Sequence, residues 1–215
     1  MSPAIATPEL TLADIARRFG PISLRRIRLH PYPATEDDVV EIHDRENRHF
    51  ELVDGILVEK LMGYRESFVA MTIGSLLREF VVPRKLGAVA GSDGMMRLAP
   101  GLVRIPDVSF CFWDQFPNRQ VQETPIPSLH PDLAVEVLSA GNTDEEMDEK
   151  LDDYFTSGAT LVWLVDPESR TALVFTTPDR ESARKLTVED TLDGGSVLPG
   201  LAIPIRELFA ELDPQ

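Results

Sequence analysis

The alternation of apolar and polar residues along the chain predicts helices interspersed with strands. Thr11 precedes apolar residues at helical spacing and is a residue type that caps helix N-termini. Pro83 is predicted to end a long helix, and Gly158 to end a helix capped by Thr143 or Asp144. The predicted helices cover residues 12–19, 67–82, 144–157 and 206–212.

Short apolar runs and period-two alternation predict the strands. The clearest signal is a hairpin in which Asp54-Gly55 joins residues 50–53 to residues 56–60, because this dipeptide suits a turn with positive φ at both positions. Further strands are predicted over residues 87–90, 95–99, 107–113, 133–138, 160–165 and 171–176. Four prolines predict a long loop over residues 114–131. Together these elements predict an α/β sandwich around one mixed sheet.

The N-terminal region differs from the rest of the chain. After the first predicted helix, Pro21, Pro31 and Pro33 interrupt regular structure. Residues 1–45 are therefore predicted to form an appended segment, and residues 46–215 the main domain.

Composition is that of a soluble globular protein. Apolar residues make up 43% of the chain and charged residues 27%. No apolar run approaches the roughly 18 residues of a membrane helix, and the N-terminus does not read as a signal peptide. The single Cys111 has no internal disulfide partner and is expected in the core. We therefore expect a cytoplasmic protein that does not use a membrane.

The net charge of −15 is unevenly distributed. Residues 60–104 contain seven basic and three acidic side chains, whereas residues 131–155 contain nine acids and one lysine. Nucleic-acid-binding proteins usually carry a basic footprint, so the overall charge argues against such a partner. The basic segment could track phosphates or be ordinary surface, and most of the acidic run is expected to be a solvated helix face.

Two carboxylates lie among apolar residues, where an unpaired charge is costly. Asp107 opens one predicted strand and Glu136 lies late in another, so neighbouring strands would bring them to one end of a sheet. The carbonyl of Val137 could add an oxygen, and such oxygens suit Mg²⁺. Lys150 lies beside the inward face of the next helix. The set suits a metal-dependent phosphodiesterase, although a turn, an ion pair and a surface lysine remain the ordinary interpretations of its members.

Several segments in order carry a resemblance to a known family. They are residues 50–55, 104–109, 131–139, 149–154 and 162–167. They resemble the family named "putative restriction endonuclease", also called domain of unknown function 820, within the PD-(D/E)XK nuclease superfamily. The resemblance extends from residue 50 to about residue 209.

This resemblance implies a restriction-endonuclease-like core of mixed β-sheet flanked by helices, a Mg²⁺ (or Mn²⁺) site, DNA as partner and often a homodimer. Asp107 matches the first metal-binding acid and Glu136 the second. The superfamily places a lysine two residues after that acid, where this chain has Leu138. Lys150 matches a lysine moved onto the next helix, and Glu51 an additional acid near the site.

Three functions follow as hypotheses. The first is a metal-dependent endonuclease that cleaves DNA. The second is a catalytically silent binding or assembly protein that keeps the fold, which the acidic charge favours. The third is a metal-independent hydrolase with paired carboxylates as acid and base, although aromatic residues are only 7% of the chain and show no sugar platform.

The sequence lacks the motifs of several other enzyme classes. No glycine-rich loop precedes a Lys-Ser/Thr pair, which argues against a P-loop nucleotide enzyme. The four histidines are dispersed without zinc spacing, and neither Ser139 nor Ser157 lies in a nucleophile elbow.

Overall fold

The computed structural model describes residues 11–29 and 33–212, which form two main sheets, a two-stranded ribbon and five α-helices. The helices are α1 (Leu12–Phe19), α2 (Glu36–Glu46), α3 (Tyr64–Arg84), α4 (Asp144–Ser157) and α5 (Ile205–Phe209). The strands are β1 (Ile27–Arg28), β2 (Phe50–Val53), β3 (Ile56–Glu59), β4 (Gly87–Gly91), β5 (Met96–Ala99), β6 (Leu102–Arg104), β7 (Val108–Phe112), β8 (Leu133–Val137), β9 (Leu161–Asp166), β10 (Thr171–Phe175), β11 (Arg184–Leu186), β12 (Thr191–Gly194) and β13 (Leu198–Pro204).

The first sheet has the strand order β1-β3-β2-β6-β5 and is antiparallel throughout. The second has the order β11-β10-β9-β8-β7-β4, and its β8–β9 pair is parallel. The ribbon consists of β12 and β13. The parallel pair requires a crossover connection, and α4 provides it between β8 and β9.

Apolar cores lie on both faces of the second sheet. On one face, α3 and α5 pack over Val135 and Trp163 in the largest cluster. On the other face, Met147 and Leu151 of α4 pack over Ala134. The first sheet is covered by α2 on one face and α1 on the other. This mixed α/β arrangement of sheets flanked by helices confirms the predicted fold class.

Local sequence signals account well for three elements. Thr11 caps α1 with a capping box in which Asp14 bonds back to it. Asp54 and Gly55 both have positive φ and join β2 to β3 as predicted. Thr143 caps α4, and Gly158 follows its last residue.

Other predictions need correction. The described residues form two main sheets rather than one, because β2, β3, β5 and β6 pair with one another and with β1 instead of joining the larger sheet. Strand β6 was not predicted. Pro83 lies inside α3, because a proline in the last turn removes only one hydrogen bond, and Lys85 ends the helix with positive φ. The predicted helix over residues 67–82 rests on the spacing of Phe68, Met71, Leu76 and Phe80, but Met71 is 72% exposed and contributes little to the core.

The long loop over residues 114–131 is confirmed as a region without strands, and it carries two short 3-10 turns. The predicted terminal helix is divided into α5 and a following 3-10 turn, Ala210–Leu212. Across the described residues, no helix combines the length and apolarity needed to cross a membrane.

Candidate active site

Asp107 and Glu136 lie together at one end of the second sheet. Strands β7 and β8 pair antiparallel with Val108 opposite Val135, so one further step of this register places Asp107 opposite Glu136. The backbone N–H of Asp107 donates to the carbonyl of Val135 at 3.0 Å. Both residues are 4% exposed. The structure therefore brings the two predicted acids together on the face of the sheet that α4 covers.

One oxygen of each carboxylate is fixed by a neighbouring donor. Oδ2 of Asp107 accepts the backbone N–H of Val137 at 2.6 Å, and Oε1 of Glu136 accepts the hydroxyl of Tyr154 at 2.5 Å. Burial and the adjacent charge of Glu136 raise the pKa of Tyr154 well above its ordinary value, so the phenol stays protonated as a donor. The contact of Val137 with Asp107 is thus through its amide, and its carbonyl as a metal ligand stays a prediction.

Lys150 reaches this pair from α4. Its Nζ lies 3.1 Å from Oε2 of Glu136 and 3.1 Å from Oε1 of Glu51. The side chain is 4% exposed. It lies on α4 beside the buried residues Met147, Leu151 and Tyr154. The predicted lysine therefore contacts two of the three predicted acids, Glu136 and Glu51.

Glu51 is held by three donors. Arg104 contacts its Oε2 at 2.8 Å, while the backbone N–H of Ile105 and the Lys150 ammonium contact its Oε1 at 3.1 Å each. Burial alone would raise the pKa of Glu51, but the charges of Lys150 and Arg104 outweigh burial and hold it well below its ordinary value. Glu51 is thus an ionised link between Lys150 and Arg104.

Arg104 is fully buried and continues the network toward α4. Its NH2 lies 2.6 Å from Asp153 and 3.4 Å from Glu149. Arg104 lies in the basic segment of residues 60–104 that could track phosphates, but its side chain points inward as a counter-ion for Glu51. A guanidinium suits this position because it presents several donors in one rigid plane.

The N-terminal segment also contacts the helix that carries Lys150. Arg26 forms two hydrogen bonds with Glu146, at 2.9 and 2.6 Å, and Arg18 pairs with Glu149. The hydroxyl of Thr143 donates to the carbonyl of Phe19 at 2.7 Å. Residues predicted as an appendage therefore hold one side of α4 in place.

Sequence reasoning missed Lys60, whose ammonium contacts both Asp107 and Glu136. Its Nζ is 2.8 Å from Oδ1 of Asp107 and 3.3 Å from Oε2 of Glu136, and it also donates to the carbonyl of Ile105. A usable signal was present in the composition. Only four of the 21 basic residues are lysines, and two of those, Lys60 and Lys150, meet at Glu136.

Two openings lead to this cluster. A groove of about 880 Å³ between α3 and β4 reaches Asp107, and Arg78 is among its lining residues. A smaller, polar cavity of about 330 Å³ reaches Lys60 and is lined in part by Glu59 and Asp93. Asp107 and Lys60 are therefore the members of the cluster that face these two spaces.

The donor set fits a divalent cation bound by few protein ligands. No group of three or more His, Cys, Asp or Glu within residues 11–29 and 33–212 is arranged to hold a metal. Two carboxylates do meet at one position, however, because Oδ1 of Asp107 and Oε2 of Glu136 both contact the ammonium of Lys60. Mg²⁺ is commonly held by one or two carboxylates and completes its coordination with water.

Comparisons with known proteins agree with this architecture. The family model described as "Uma2: Putative restriction endonuclease" matches residues 36–206. A solved structure similar to the chain is that of "a putative nuclease belonging to DUF820 from Anabaena variabilis ATCC 29413", with a TM-score of 0.71 and 20% sequence identity. The match covers 84% of this chain and 100% of that chain. A search of curated proteins found no match.

Proposed function

Because this chain belongs to the Uma2 family, described as "Putative restriction endonuclease", we propose that it hydrolyses DNA phosphodiester bonds with the help of Mg²⁺ or Mn²⁺. The observation that carries the proposal is that Asp107 Oδ1 and Glu136 Oε2 converge on one buried position, which the ammonium of Lys60 occupies. Two carboxylates at such a position form a ligand pair for a hard divalent ion.

The residues around the pair have distinct roles in this proposal. Asp107 and Glu136 hold the ion, which when bound offsets the charge of the scissile phosphate and promotes ionisation of water. Lys150, at 3.1 Å from Glu136, orients the attacking water and places positive charge where negative charge develops. The Val137 amide binds one oxygen of Asp107, and the Tyr154 hydroxyl binds one oxygen of Glu136. The remaining oxygen of each carboxylate is thereby held in a fixed orientation.

DNA reaches Asp107 through the groove between α3 and β4 in this proposal. Arg78 lines the groove, and Arg65, Arg84 and Lys85 are exposed on α3 or immediately after it. These cations supply contacts to backbone phosphates that the acidic surface of α4 cannot make. The net charge of −15 is thus compatible with a local basic approach to the site.

Plasmid nicking tests the proposal. The wild-type protein with Mg²⁺ or Mn²⁺ is expected to nick supercoiled DNA, and a chelator is expected to stop it. Asp107→Ala should reduce nicking to the background, whereas Asp114→Ala, a change at an exposed aspartate, should leave it unchanged. Equal nicking by the wild type and Asp107→Ala would assign the activity to a contaminant and reject the proposal.

A catalytically silent binding protein is the second candidate, and the ion pairs of the cluster favour it. Each of the carboxylates of Glu51, Asp107 and Glu136 already contacts a protein cation, which is Lys60, Lys150 or Arg104. Calorimetric titration with Mn²⁺ separates the two candidates. A silent domain should show no binding site that is lost in Glu136→Gln.

We also propose that the protein acts as a homodimer in the cytoplasm. Two subunits would supply two sites, one for each strand of a duplex. The single cysteine, Cys111, is a buried free thiol, as expected in a reducing compartment. Light scattering should give twice the chain mass of 24.0 kDa, and a monomer mass would reject the dimer.

A further inference from the structure

Lys60 occupies the position at which the two carboxylates meet. Its ammonium contacts three oxygens, which belong to Asp107, Glu136 and the carbonyl of Ile105. Its side chain is 8% exposed. An ammonium surrounded by carboxylate and carbonyl oxygens has the same kind of neighbours as a bound hard cation.

The carboxylate oxygens that face Lys60 are those without an anchoring neutral donor. The Val137 amide holds the other oxygen of Asp107, and the Tyr154 hydroxyl holds the other oxygen of Glu136. Oδ1 of Asp107 is therefore directed at Lys60, and Oε2 of Glu136 is shared between Lys60 and Lys150. Any cation bound by both acids through these oxygens competes with Lys60 for the same position.

Lys60 and Lys150 differ in how easily their side chains could move away from the carboxylates. Lys150 is 4% exposed, and its ammonium bridges Glu51 and Glu136. Lys60 instead lines the polar cavity of about 330 Å³, where Asp93 offers another carboxylate; Glu59, also in this lining, is paired with Arg48. An incoming divalent ion would add two positive charges beside the ammonium groups of Lys60 and Lys150, and release of one ammonium relieves part of that repulsion.

We propose that Lys60 is a displaceable internal counter-ion, whose ammonium holds the position between Asp107 and Glu136 until a divalent cation replaces it and the side chain moves into the neighbouring polar cavity. This inference rests on the proposed metal-dependent function. It adds a residue that determines the concentration of divalent cation at which the site is filled. The lysine keeps the two acids neutralised at low metal concentration. It also makes the protein bind the ion less tightly than the carboxylates alone would.

Mn²⁺ calorimetry tests the competition. Lys60→Met removes the ammonium while keeping an unbranched side chain, and it is expected to bind Mn²⁺ at least tenfold more tightly than the wild type. Lys185→Met, a change at an exposed lysine of β11, is the matched control and should bind like the wild type. Equal or weaker binding by Lys60→Met overturns the inference. If Asp107-dependent binding is nevertheless present in the wild type, the metal site of the proposed function stands.

Amine reactivity tests the displacement in the unmodified protein and does not depend on a folded variant. The protein is treated briefly with acetic anhydride, with and without Mn²⁺, and acetylation of each lysine is measured by mass spectrometry. Mn²⁺ is expected to raise acetylation of Lys60 several-fold and to leave acetylation of Lys185 unchanged. Unchanged reactivity of Lys60 under saturating Mn²⁺ overturns the displacement. Absence of Mn²⁺ binding by both the wild type and Lys60→Met overturns the inference together with the metal site.

Discussion

The hydroxyl of Tyr154 donates a 2.5 Å hydrogen bond to Oε1 of Glu136, linking the inward face of α4 to the end of β8. Tyr154→Phe removes only this donor, so Glu136 loses one of the groups that fix its direction. We expect a destabilisation of about 1.5–3 kcal/mol for a hydrogen bond to a charged acceptor and a 10–100-fold weaker metal affinity. Denaturant unfolding and Mn²⁺ titration measure the two effects. Tyr64→Phe, at a residue 87% exposed, should change neither.

Arg104→Met should be strongly destabilising, because it leaves Glu51 and Asp153 without their shared partner in a buried site. Loss of one partner of a buried ion pair costs about 3–5 kcal/mol. Arg45→Met, which breaks the exposed pair with Glu41, is the control and should cost at most about 1 kcal/mol. Chemical denaturation of both variants measures the contrast, and similar losses would contradict a buried network.

Protonation of Glu51 should account for part of the decrease in the free energy of unfolding at acidic pH. The pKa of Glu51 lies below its unfolded value, so its contribution is complete above about pH 4.3 and is lost as pH falls through the folded pKa. We expect the wild type to be more stable than Glu51→Gln at pH 7, and this difference to shrink by at least about 1.4 kcal/mol by pH 3. Denaturant unfolding at several pH values checks this. Glu168→Gln, in an exposed turn, should follow the wild type, and a constant difference for Glu51→Gln would contradict the assignment.

The N-terminal helix should stabilise the site helix. Phe19 is fully buried with Ile56 and Val58 of the hairpin, so Phe19→Ala should cost about 3–5 kcal/mol. Hydrogen exchange should then rise in α4 as well as in α1, because the two helices are in contact. Leu12→Ala, at a residue 62% exposed, is the control. Increased exchange confined to α1 would show that the segment is an independent appendage.

Local signals made most of the secondary structure predictable. Thr11, Asp54-Gly55 and Gly158 each act within a few residues, so their effects can be read without knowing the tertiary fold. The convergence of Asp107 and Glu136 was also accessible, because strand ends and side-chain alternation follow from two neighbouring apolar runs. The roles of these two residues remain predictions.

Long-range pairing set the limit of the sequence analysis. Nothing near Lys60 in sequence shows that it faces Asp107, 47 positions later, since that contact depends on how two separate sheets meet. Arg104 was equally hidden, because the partners that neutralise it, Glu51 and Asp153, come from β2 and α4. A charged residue's neighbours in sequence therefore did not indicate whether it is buried.

The contact of Thr143 with Phe19 has a consequence for synthesis of the protein. The two residues are 124 positions apart, and Arg26 and Glu146 are 120 apart. At ribosomal rates of 5–20 residues per second, the Phe19 carbonyl and Arg26 wait about 6–25 s for these partners on α4. Ile15 and Phe19 meet their apolar neighbours Ile56 and Val58 much earlier, so we expect α1 to pack on the hairpin first and α4 to dock against it only when the last third of the chain emerges.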